Sequence, residues 1–412
     1  RVNGTYTNNL TGTLTVGTAL TGSGTLTQGS NSTLNLGGTT TISGLNAAAT
    51  GNTVNYNKAG DQTIKGAAYY DLTVSNSGTK TIGSGASIAH TGTISDAARV
   101  LLTVSASGIN KVYDATNTAT VNLSTNNIFT AYAVAPSGVY TAVFTAGKNV
   151  GTGKAISVTG ISLLGADAAK FVSNTTASAT ANIVKAAVTL GGITASDKVY
   201  DQTSAATVSK DGAVFNGLIA GDVLTVVTST GVFADKNAGT GKTVTLINTF
   251  GGTDLGNYAI TDQGTTTASI TPKAVTLGGI TASDKVYDST TAATVNKTNA
   301  VFAGKYAGDD LAVSSSTGVF SDKNAASGKT VILTNSFSGG DLGNYSITDQ
   351  GTTTASIEKR TLTVDATGVN RIYDGTSAAT VTLSDNRILG DVMTTSYGSA
   401  SFSDRFVGPG KT

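Results

Sequence analysis

Cysteine and tryptophan are absent from the 412 residues, and histidine occurs once, as His90. A chain without thiols forms neither disulfides nor thiolate metal sites. One imidazole cannot serve a chemical site that recurs along a chain, so we expect no catalytic residue, no metal site and no cofactor. A lone histidine is more often a surface or packing residue, and we interpret His90 in that way.

Charge is also scarce, because charged residues make up 12% of the chain and the net charge is +1. Nucleic-acid binding needs a basic surface, and anionic membranes attract polybasic segments. No apolar run approaches the ~18 residues that span a bilayer, and the opening residues after Arg1 do not read as a targeting signal. We therefore expect no nucleic-acid partner and no direct membrane insertion.

Four copies of one unit occupy most of the chain. The segment AVTLGGITASDKVYD at 187–201 recurs letter for letter at 274–288. A Tyr-Asp marker followed by Thr recurs at intervals of 87, 87 and 86 residues, as Tyr113-Asp114, Tyr200-Asp201, Tyr287-Asp288 and Tyr373-Asp374. A second landmark follows about 30 residues later, for example FADKNAGTGK from Phe233. The fourth copy stops at Thr412, so we expect the sequence to be a piece of a longer polypeptide.

Each copy alternates β-branched or apolar residues with polar ones, as in TVTL (243–246) and YAIT (258–261), and Gly-rich steps separate these runs. This period is typical of half-buried strands, and helical periodicity is nearly missing. A unit of this length with six to eight strands fits a small β-sandwich-like domain that buries its own core. Closely joined domains of this kind predict an elongated rod.

The first 97 residues differ, with brief strand-like runs every 8 to 18 residues, such as TLTV (13–16), TLNL (33–36) and TVNY (53–56). Short strands at short intervals predict a parallel β-helix whose corners are supplied by Gly and Asn, since these residues tolerate positive φ. A flat antiparallel sheet is the alternative. The predicted domains are a β-helix-like segment (1–97) and repeats 1 to 4 (98–185, 186–272, 273–359 and 360–412).

The Tyr-Asp marker, the FADKNAGTGK landmark, Leu-Gly-Asn-Tyr and Ala-Ser-Ile-Thr-Pro-Lys together resemble the YDG/MBG-type repeats of very large bacterial surface proteins. The Gly-Thr-Leu-rich front resembles the β-helix of filamentous-haemagglutinin-type adhesins. The resemblance implies export from a bacterium and service as a stalk or adhesin at the cell surface. The Gly of the family marker is kept only at Gly375 and is replaced by Ala115, Gln202 and Ser289. We infer from this that the marker turn does not demand positive φ.

The Tyr-Asp marker admits two interpretations. In the structural one, the ring packs in the core of its unit, the hydroxyl finds a backbone partner, and Asp closes a turn into the following Thr. In the functional one, the tyrosines are exposed platforms for sugar rings. Identical placement in every unit favours the structural interpretation, and Phe233, Phe320, Tyr258 and Tyr345 are likewise predicted to be core anchors.

We interpret the other polar motifs as turns, loops and surface charges. Gly-Lys-Thr at 241–243, 328–330 and 410–412 lacks the first Gly of a phosphate loop and is predicted to form a turn. Asp309-Asp310 is predicted to be a solvated loop, and Lys236 and Lys242 are predicted to be solvated charges. A cation held between domains by Asp235, Asp322 or Asp404 is an alternative to simple loop carboxylates.

The preferred function is the structural stalk of a secreted bacterial adhesin or fibre, which projects a distal binding region from the cell. Its partners are then other segments of the same long polypeptide. One alternative is a glycan- or mucin-binding module that acts by avidity, with extracellular glycans as partners. Another is a self-assembling extracellular matrix filament, as in a biofilm, with copies of itself as partners. An enzyme is not expected.

Overall fold

The computed structural model describes residues 1–9, 11–95 and 97–412, and these residues form 42 β-strands without an α-helix. Single turns of 3₁₀-helix within the same residues cover Ala168–Lys170, Leu255–Asn257 and Leu342–Asn344. The predicted fold class, all-β with repeated β domains, is therefore confirmed. Over these ranges, no helix has the length and apolar character needed to cross a membrane.

The front of the chain is a parallel β-helix. Its strands are β1 (Thr5–Asn8), β2 (Thr13–Val16), β3 (Ala19–Gln28), β4 (Thr33–Leu36), β5 (Thr39–Asn46), β6 (Thr53–Tyr56), β7 (Gln62–Ile64), β8 (Ala68–Val74), β9 (Gly78–Ile82), β10 (Ser87–Ile94) and β11 (Ala98–Leu102). They stack in parallel in the orders β1-β3-β5, β10-β8-β6-β4-β2 and β11-β9-β7. Thr13 pairs with Thr33, which pairs with Thr53, so one turn takes 20 residues. The alternative of a flat antiparallel sheet is wrong.

Two kinds of residue specify the β-helix: those whose side chains point into its core and those at its corners. Leu34, Val54 and Leu72 lie directly above one another and are fully buried. Threonines alternate with them and point outward, as the two-residue period of a strand requires. At two corners the chain turns through left-handed residues, Asn31 (φ 56°) and Gly51 (φ 76°), which Asn and Gly adopt at low cost.

Repeat 1 closes one end of this β-helix. Its strands are β12 (Val104–Ile109), β13 (Lys111–Val112), β14 (Thr120–Thr125), β15 (Ala135–Pro136), β16 (Thr141–Phe144), β17 (Gly151–Thr159), β18 (Leu163–Leu164), β19 (Phe171–Ser173) and β20 (Thr176–Val184). β19 pairs in parallel with β11, where Phe171 lies opposite Val100. Phe129 is fully buried in the same apolar cluster as Val100. Side chains of repeat 1 therefore cover one end of the β-helix core.

Repeats 2 and 3 share one plan. Repeat 2 contains β21 (Ala186–Gly191), β22 (Thr194–Ala195), β23 (Lys198–Val199), β24 (Ala205–Ala206), β25 (Val208–Ser209), β26 (Val214–Asn216), β27 (Thr225–Phe233), β28 (Gly239–Gly251), β29 (Tyr258–Thr261) and β30 (Thr265–Thr271). Repeat 3 contains β31 (Lys273–Gly278), β32 (Thr281–Ala282), β33 (Lys285–Val286), β34 (Ala292–Ala293), β35 (Val295–Asn296), β36 (Val301–Ala303), β37 (Ala312–Phe320), β38 (Ala326–Ser338), β39 (Tyr345–Thr348) and β40 (Thr352–Glu358). Repeat 4 contributes β41 (Val364–Gly368) and β42 (Val381–Asp385), an antiparallel pair.

Repeats 2 and 3 each contain two larger sheets, which we call the leading sheet and the main sheet. In repeat 3 the leading sheet has the order β36-β31-β39, and the main sheet has the order β33-β40-β38-β37-β34. On β38, Val331 and Leu333 are buried while the intervening Ile332 is 55% exposed. The main sheet therefore has one apolar face, as its alternating sequence predicts.

The chain forms two compact units whose limits cut through repeat 2. Unit 1 comprises residues 1–191, 213–227 and 249–262, and unit 2 comprises residues 192–212, 228–248 and 263–412. Within unit 1, one apolar cluster joins Val104 and Tyr113 of repeat 1 to Val188 and Tyr258 of repeat 2. The expectation that each repeat buries its own core is wrong here, because the leading sheet of repeat 2 completes the core of repeat 1.

Candidate functional site

The Tyr-Asp marker follows a two-residue strand at the edge of the main sheet. In repeat 2 this strand is β23, which pairs in parallel with the end of β30. The Tyr200 N–H donates to the Thr271 carbonyl over 2.9 Å. This bond ends the strand with the Tyr200 ring directed inward, and the side chain is 1% exposed.

The marker aspartate closes a tight turn. Asp201 Oδ1 accepts hydrogen bonds from both the N–H and the hydroxyl of Thr203, each over 2.9 Å. The Lys198 ammonium contacts the same oxygen at 2.7 Å and lies 5.6 Å from the centre of the Phe233 ring. Burial alone would raise the pKa of Asp201, but the bonds from Lys198 and Thr203 outweigh it and lower that pKa. The turn is an Asx turn whose carboxylate is occupied by its own chain.

The residue after the marker aspartate adopts a left-handed conformation in every copy. The φ angles are 61° at Ala115, 65° at Gln202, 63° at Ser289 and 83° at Gly375. The inference that this turn does not demand positive φ is therefore wrong. The left-handed residue turns the chain between Asp and Thr, and in this conformation the N–H and hydroxyl of Thr203 lie within hydrogen-bond distance of the Asp201 carboxylate.

The second landmark holds an internal ion pair. Asp235 Oδ1 accepts the Asn237 N–H at 2.7 Å and contacts the Lys242 ammonium at 2.7 Å, and the bond from Lys242 lowers the pKa of Asp235. The Lys242 side chain is 14% exposed, so the prediction of a solvated charge is wrong for this residue. Lys329 pairs with Asp322, and Lys411 pairs with Asp404, in the same way. Each aspartate that was considered as a ligand for a cation between domains is therefore already paired with a lysine of its own repeat.

The Gly-Lys-Thr motif lies in a strand in repeats 2 and 3. Residues 241–243 belong to β28 at a shift in its register with β30, and Gly241 has φ 58°. Residues 328–330 lie at the matching bulge of β38, with Gly328 at φ 59°. The predicted turn is therefore wrong at both places, because the irregularity is a bulge within a continuous strand.

In unit 2, the marker tyrosine of repeat 2 meets an aspartate of repeat 3. The Tyr200 hydroxyl donates to Asp309 Oδ2 over 3.0 Å, and the Tyr345 hydroxyl donates to the same oxygen over 2.5 Å. Gln202 Nε2 donates to Asp309 Oδ1 over 2.8 Å. The two tyrosine rings pack edge-on, with centres 5.6 Å apart. We call this arrangement the Tyr–Asp joint: a marker tyrosine, the aspartate of a Gly-Asp dipeptide in the following repeat, and the tyrosine of its Leu-Gly-Asn-Tyr segment.

Asp309 is 6% exposed, so the prediction of a solvated loop is wrong for this residue. Burial would raise its pKa, but the hydrogen bonds from Tyr345, Gln202 and Tyr200 outweigh burial and lower that pKa. Burial, together with the bond to Asp309, raises the pKa of Tyr345 to about 12. The joint therefore contains an ionised carboxylate and protonated phenols across the neutral pH range.

A related joint lies within unit 1. The Tyr258 hydroxyl donates to Asp222 Oδ2 over 2.7 Å, and the Lys148 ammonium lies 3.3 Å from Asp222 Oδ1. The Tyr113 ring packs edge-on against Tyr258 at 5.6 Å. The buried Tyr113 hydroxyl has no hydrogen bond of normal geometry to any described residue. Lys148 contacts Oδ1 of Asp222, as Gln202 contacts Oδ1 of Asp309 in unit 2.

The marker tyrosines of repeats 3 and 4 are more open. Tyr287 is half-buried and donates to Asp391 Oδ1 of repeat 4 over 2.5 Å. Tyr373 is 57% exposed. Asp114, Asp288 and Asp374 accept hydrogen bonds from Thr116, Thr290 and Thr376, as Asp201 does from Thr203.

The second landmark supports the same joint through asparagine side chains. The Ala238 N–H donates to Asn344 Oδ1 over 2.8 Å, and Asn344 Nδ2 donates to Asn237 Oδ1 over 3.2 Å. In unit 1, the Val150 N–H donates to Asn257 Oδ1 over 3.0 Å. Asn257 and Asn344 belong to Leu-Gly-Asn-Tyr segments. Both landmarks of one repeat therefore contact this segment of the next.

The sequence interpretation missed Asp222, Asp391 and the asparagines of Leu-Gly-Asn-Tyr as joint residues. A signal was present, since a Gly-Asp dipeptide recurs at 221–222, 308–309 and 390–391. Recurrence alone does not reveal that the aspartate contacts the preceding copy.

His90 lies outside these joints. Its Nδ1 is 2.7 Å from Asp71 Oδ1, and its ring stacks on Tyr70 with centres 4.9 Å apart. Across residues 1–9, 11–95 and 97–412, no group of three or more His, Asp or Glu side chains is arranged to hold a metal ion.

The geometry defines a class of tandem β-domain proteins in which the recurring motif residues make the contacts between consecutive copies. The sequence model of the YDG domain matches residues 97–180, 184–268, 271–355 and 358–412. The chain belongs to the YDG domain family. Among curated proteins, none matches it.

Two solved structures show weak similarity to the chain. The crystal structure of Drosophila N-cadherin EC1-4 is 10% identical and has a TM-score of 0.23, with 66% of this chain and 79% of that chain covered. The crystal structure of the I9-I11 tandem from titin is 11% identical and has a TM-score of 0.15, with 63% of this chain and 98% of that chain covered. TM-scores this low support no inference about fold or function.

Proposed function

We propose that this tandem YDG-repeat protein is the structural stalk of a secreted bacterial adhesin or fibre and performs no catalysis. The single observation that carries the proposal is the Tyr–Asp joint. The most characteristic residues of the repeat are occupied in contacts between consecutive copies, as Tyr200 is with Asp309. A protein built to bear load benefits from such contacts, because each copy then resists separation from its neighbour.

The avidity alternative requires an exposed marker aromatic in every repeat. Tyr113 and Tyr200 are 2% and 1% exposed, so these rings cannot stack on a sugar without opening the joint. The filament alternative requires a long free strand edge. The outermost strands of the main sheet of repeat 3, β33 and β34, are two residues long, and short edge strands of this kind discourage pairing with another chain. Both observations favour the stalk.

Forced unfolding of the full chain, pulled from its two ends, tests the load-bearing role. We expect separate force peaks as the packed parts of the chain open one after another. The Asp309→Ala variant lowers the force of the event that opens its joint, and Asp365→Ala on the exposed strand β41 leaves the peaks unchanged. Extension of the wild-type chain without force peaks would overturn the proposal.

Location at the bacterial surface is a separate part of the proposal. It predicts that antibodies against the repeats label intact cells of the bacterium that encodes the chain. Labelling that appears only after lysis contradicts a surface stalk.

A further inference from the structure

Repeat 3 carries an open groove of about 670 Å³ beside its leading sheet. The residues that line it include Val301 and Phe302 of β36, together with Lys297, Lys305 and Tyr306. None of the lining side chains is acidic. The groove therefore combines an apolar surface, an aromatic ring and two positive charges.

Both lysines are fixed without being neutralised. The Lys297 ammonium donates to the carbonyl oxygens of Val313, over 2.7 Å, and Ser314. The Lys305 ammonium donates to the Asp309 carbonyl oxygen over 2.9 Å. An ammonium has three N–H donors, so each group keeps at least one for a ligand. Their positive charge is not cancelled by a carboxylate in these contacts, which suits an anionic ligand.

The Tyr306 ring is held in place by the neighbouring joint. Its N–H donates to the Tyr345 hydroxyl over 3.0 Å, and its ring packs edge-on against Tyr200 with centres 6.1 Å apart. The Lys273 ammonium lies 4.5 Å from the ring centre. Lys273 covers one face of the ring, so a sugar can contact the ring only where Lys273 and Tyr200 leave it uncovered. Because the ring is already fixed, that contact costs little entropy.

Repeat 2 keeps a counterpart of Lys297, Lys210, but lacks counterparts of Lys305 and Tyr306. The segment VFNGLIAGD (214–222) aligns with VFAGKYAGD (301–309), so Leu218 and Ile219 stand where repeat 3 has Lys305 and Tyr306. The flanking residues are nearly identical. Lys305 and Tyr306 are therefore not required by the fold that repeats 2 and 3 share.

We propose that the groove of repeat 3 binds a carboxylated sugar residue of an acidic glycan. Lys297 and Lys305 bind the carboxylate, while Val301 and Tyr306 contact the sugar ring. An acidic peptide is less favoured, because β36 has three residues and offers too little edge for strand addition. None of the proposed ligand-binding residues is a marker residue, and the stalk proposal does not need a ligand at this groove, so the two proposals are tested independently.

Ligand-observed NMR on the full chain tests this site, with 3′-sialyllactose and trigalacturonate as acidic probes and lactose as the neutral control. We expect saturable binding of at least one acidic probe and none of lactose. The Lys305→Leu/Tyr306→Ile variant, which carries the residues of repeat 2, is expected to weaken binding by about tenfold or more. Arg99→Leu removes the same charge from an exposed position on β11 and should leave the affinity unchanged.

Circular dichroism is used to check that each variant is folded. Lys305→Gln by itself tests the contribution of the charge while Tyr306 is kept. The proposal is overturned if neither acidic probe binds, if lactose binds equally well, or if Arg99→Leu weakens binding as much as the groove variants do. Tighter binding of a Glu-rich peptide than of either acidic sugar would assign the groove to a peptide and also overturn the proposal.

Discussion

Tyr200 donates a hydrogen bond to Asp309, 109 residues further along the chain, over 3.0 Å. Tyr345 and Gln202 donate to the same buried carboxylate. A buried charge is tolerated only when hydrogen bonds replace its lost hydration. Repeat 2 therefore supplies part of the polar environment that an aspartate of repeat 3 needs, and each copy depends on the other for a satisfied interior.

Removal of this carboxylate should be costly. Asp309→Ala leaves the hydroxyls of Tyr200 and Tyr345 without their acceptor, so we expect a loss of about 2–5 kcal/mol in the free energy of unfolding. Urea unfolding followed by tyrosine fluorescence measures the change. The control, Asp365→Ala on the exposed strand β41, should change stability by no more than about 0.5 kcal/mol. Equal effects of the two substitutions would show that the joint carries no special stability.

The left-handed residue of the marker turn provides a second test. Ser289 has φ 63°, a conformation that costs a non-glycine residue about 1 kcal/mol. Ser289→Gly should therefore stabilise the chain by about 0.5 kcal/mol, after the greater freedom of Gly in the unfolded state is counted. Gly375→Ala should destabilise it by about 1 kcal/mol. Thermal unfolding of both variants checks these opposite signs, and changes of the same sign would contradict the account.

Gln202→Gly is the informative exception to this pattern. Gln202 also has positive φ, but its side chain donates to Asp309 and to the Ala307 carbonyl oxygen. The loss of these bonds should cancel the backbone gain, so this variant should be no more stable than wild type.

Alkaline pH should weaken the joints. The pKa values of Tyr258 and Tyr345 are raised from 10.0 to about 12, first by burial and then by their bonds to Asp222 and Asp309. A raised folded-state pKa gives stability that is complete below pH 10 and is lost as the pH rises to about 12. Urea midpoints measured across this range should fall, and Tyr345→Phe should flatten the fall. Tyr6→Phe at an exposed position should not, and an equal effect would contradict the assignment to the joints.

The β-helix could be predicted from sequence because its determinants are local. Leu34, Val54 and Leu72 follow the period of inward positions, and Asn31 supplies a corner that tolerates positive φ. Each turn of the β-helix repeats the same short-range pattern. The strand content of the repeats was predictable for the same reason, since alternation appears within four or five residues.

The joint could not be predicted in the same way. A residue that packs in its own copy and one that packs in the next copy recur with the same spacing, so the period does not show which copy Tyr200 contacts. Asp309 is flanked by Gly308 and Asp310 and resembles a solvated loop in the sequence. Its burial depends on side chains of the preceding repeat. The left-handed turn was missed because Gln202 and Ser289 replace the glycine that would have indicated it.

A double-mutant cycle on the full chain, with Tyr200→Phe, Asp309→Asn and both together, tests most directly whether the joint couples repeat 2 to repeat 3. Hydrogen-bonded partners in a buried network show interaction energies of about 0.5–3 kcal/mol. We predict a coupling of about 1–3 kcal/mol between these two residues. Effects that add to within about 0.3 kcal/mol would contradict the claim that consecutive repeats are joined through this contact.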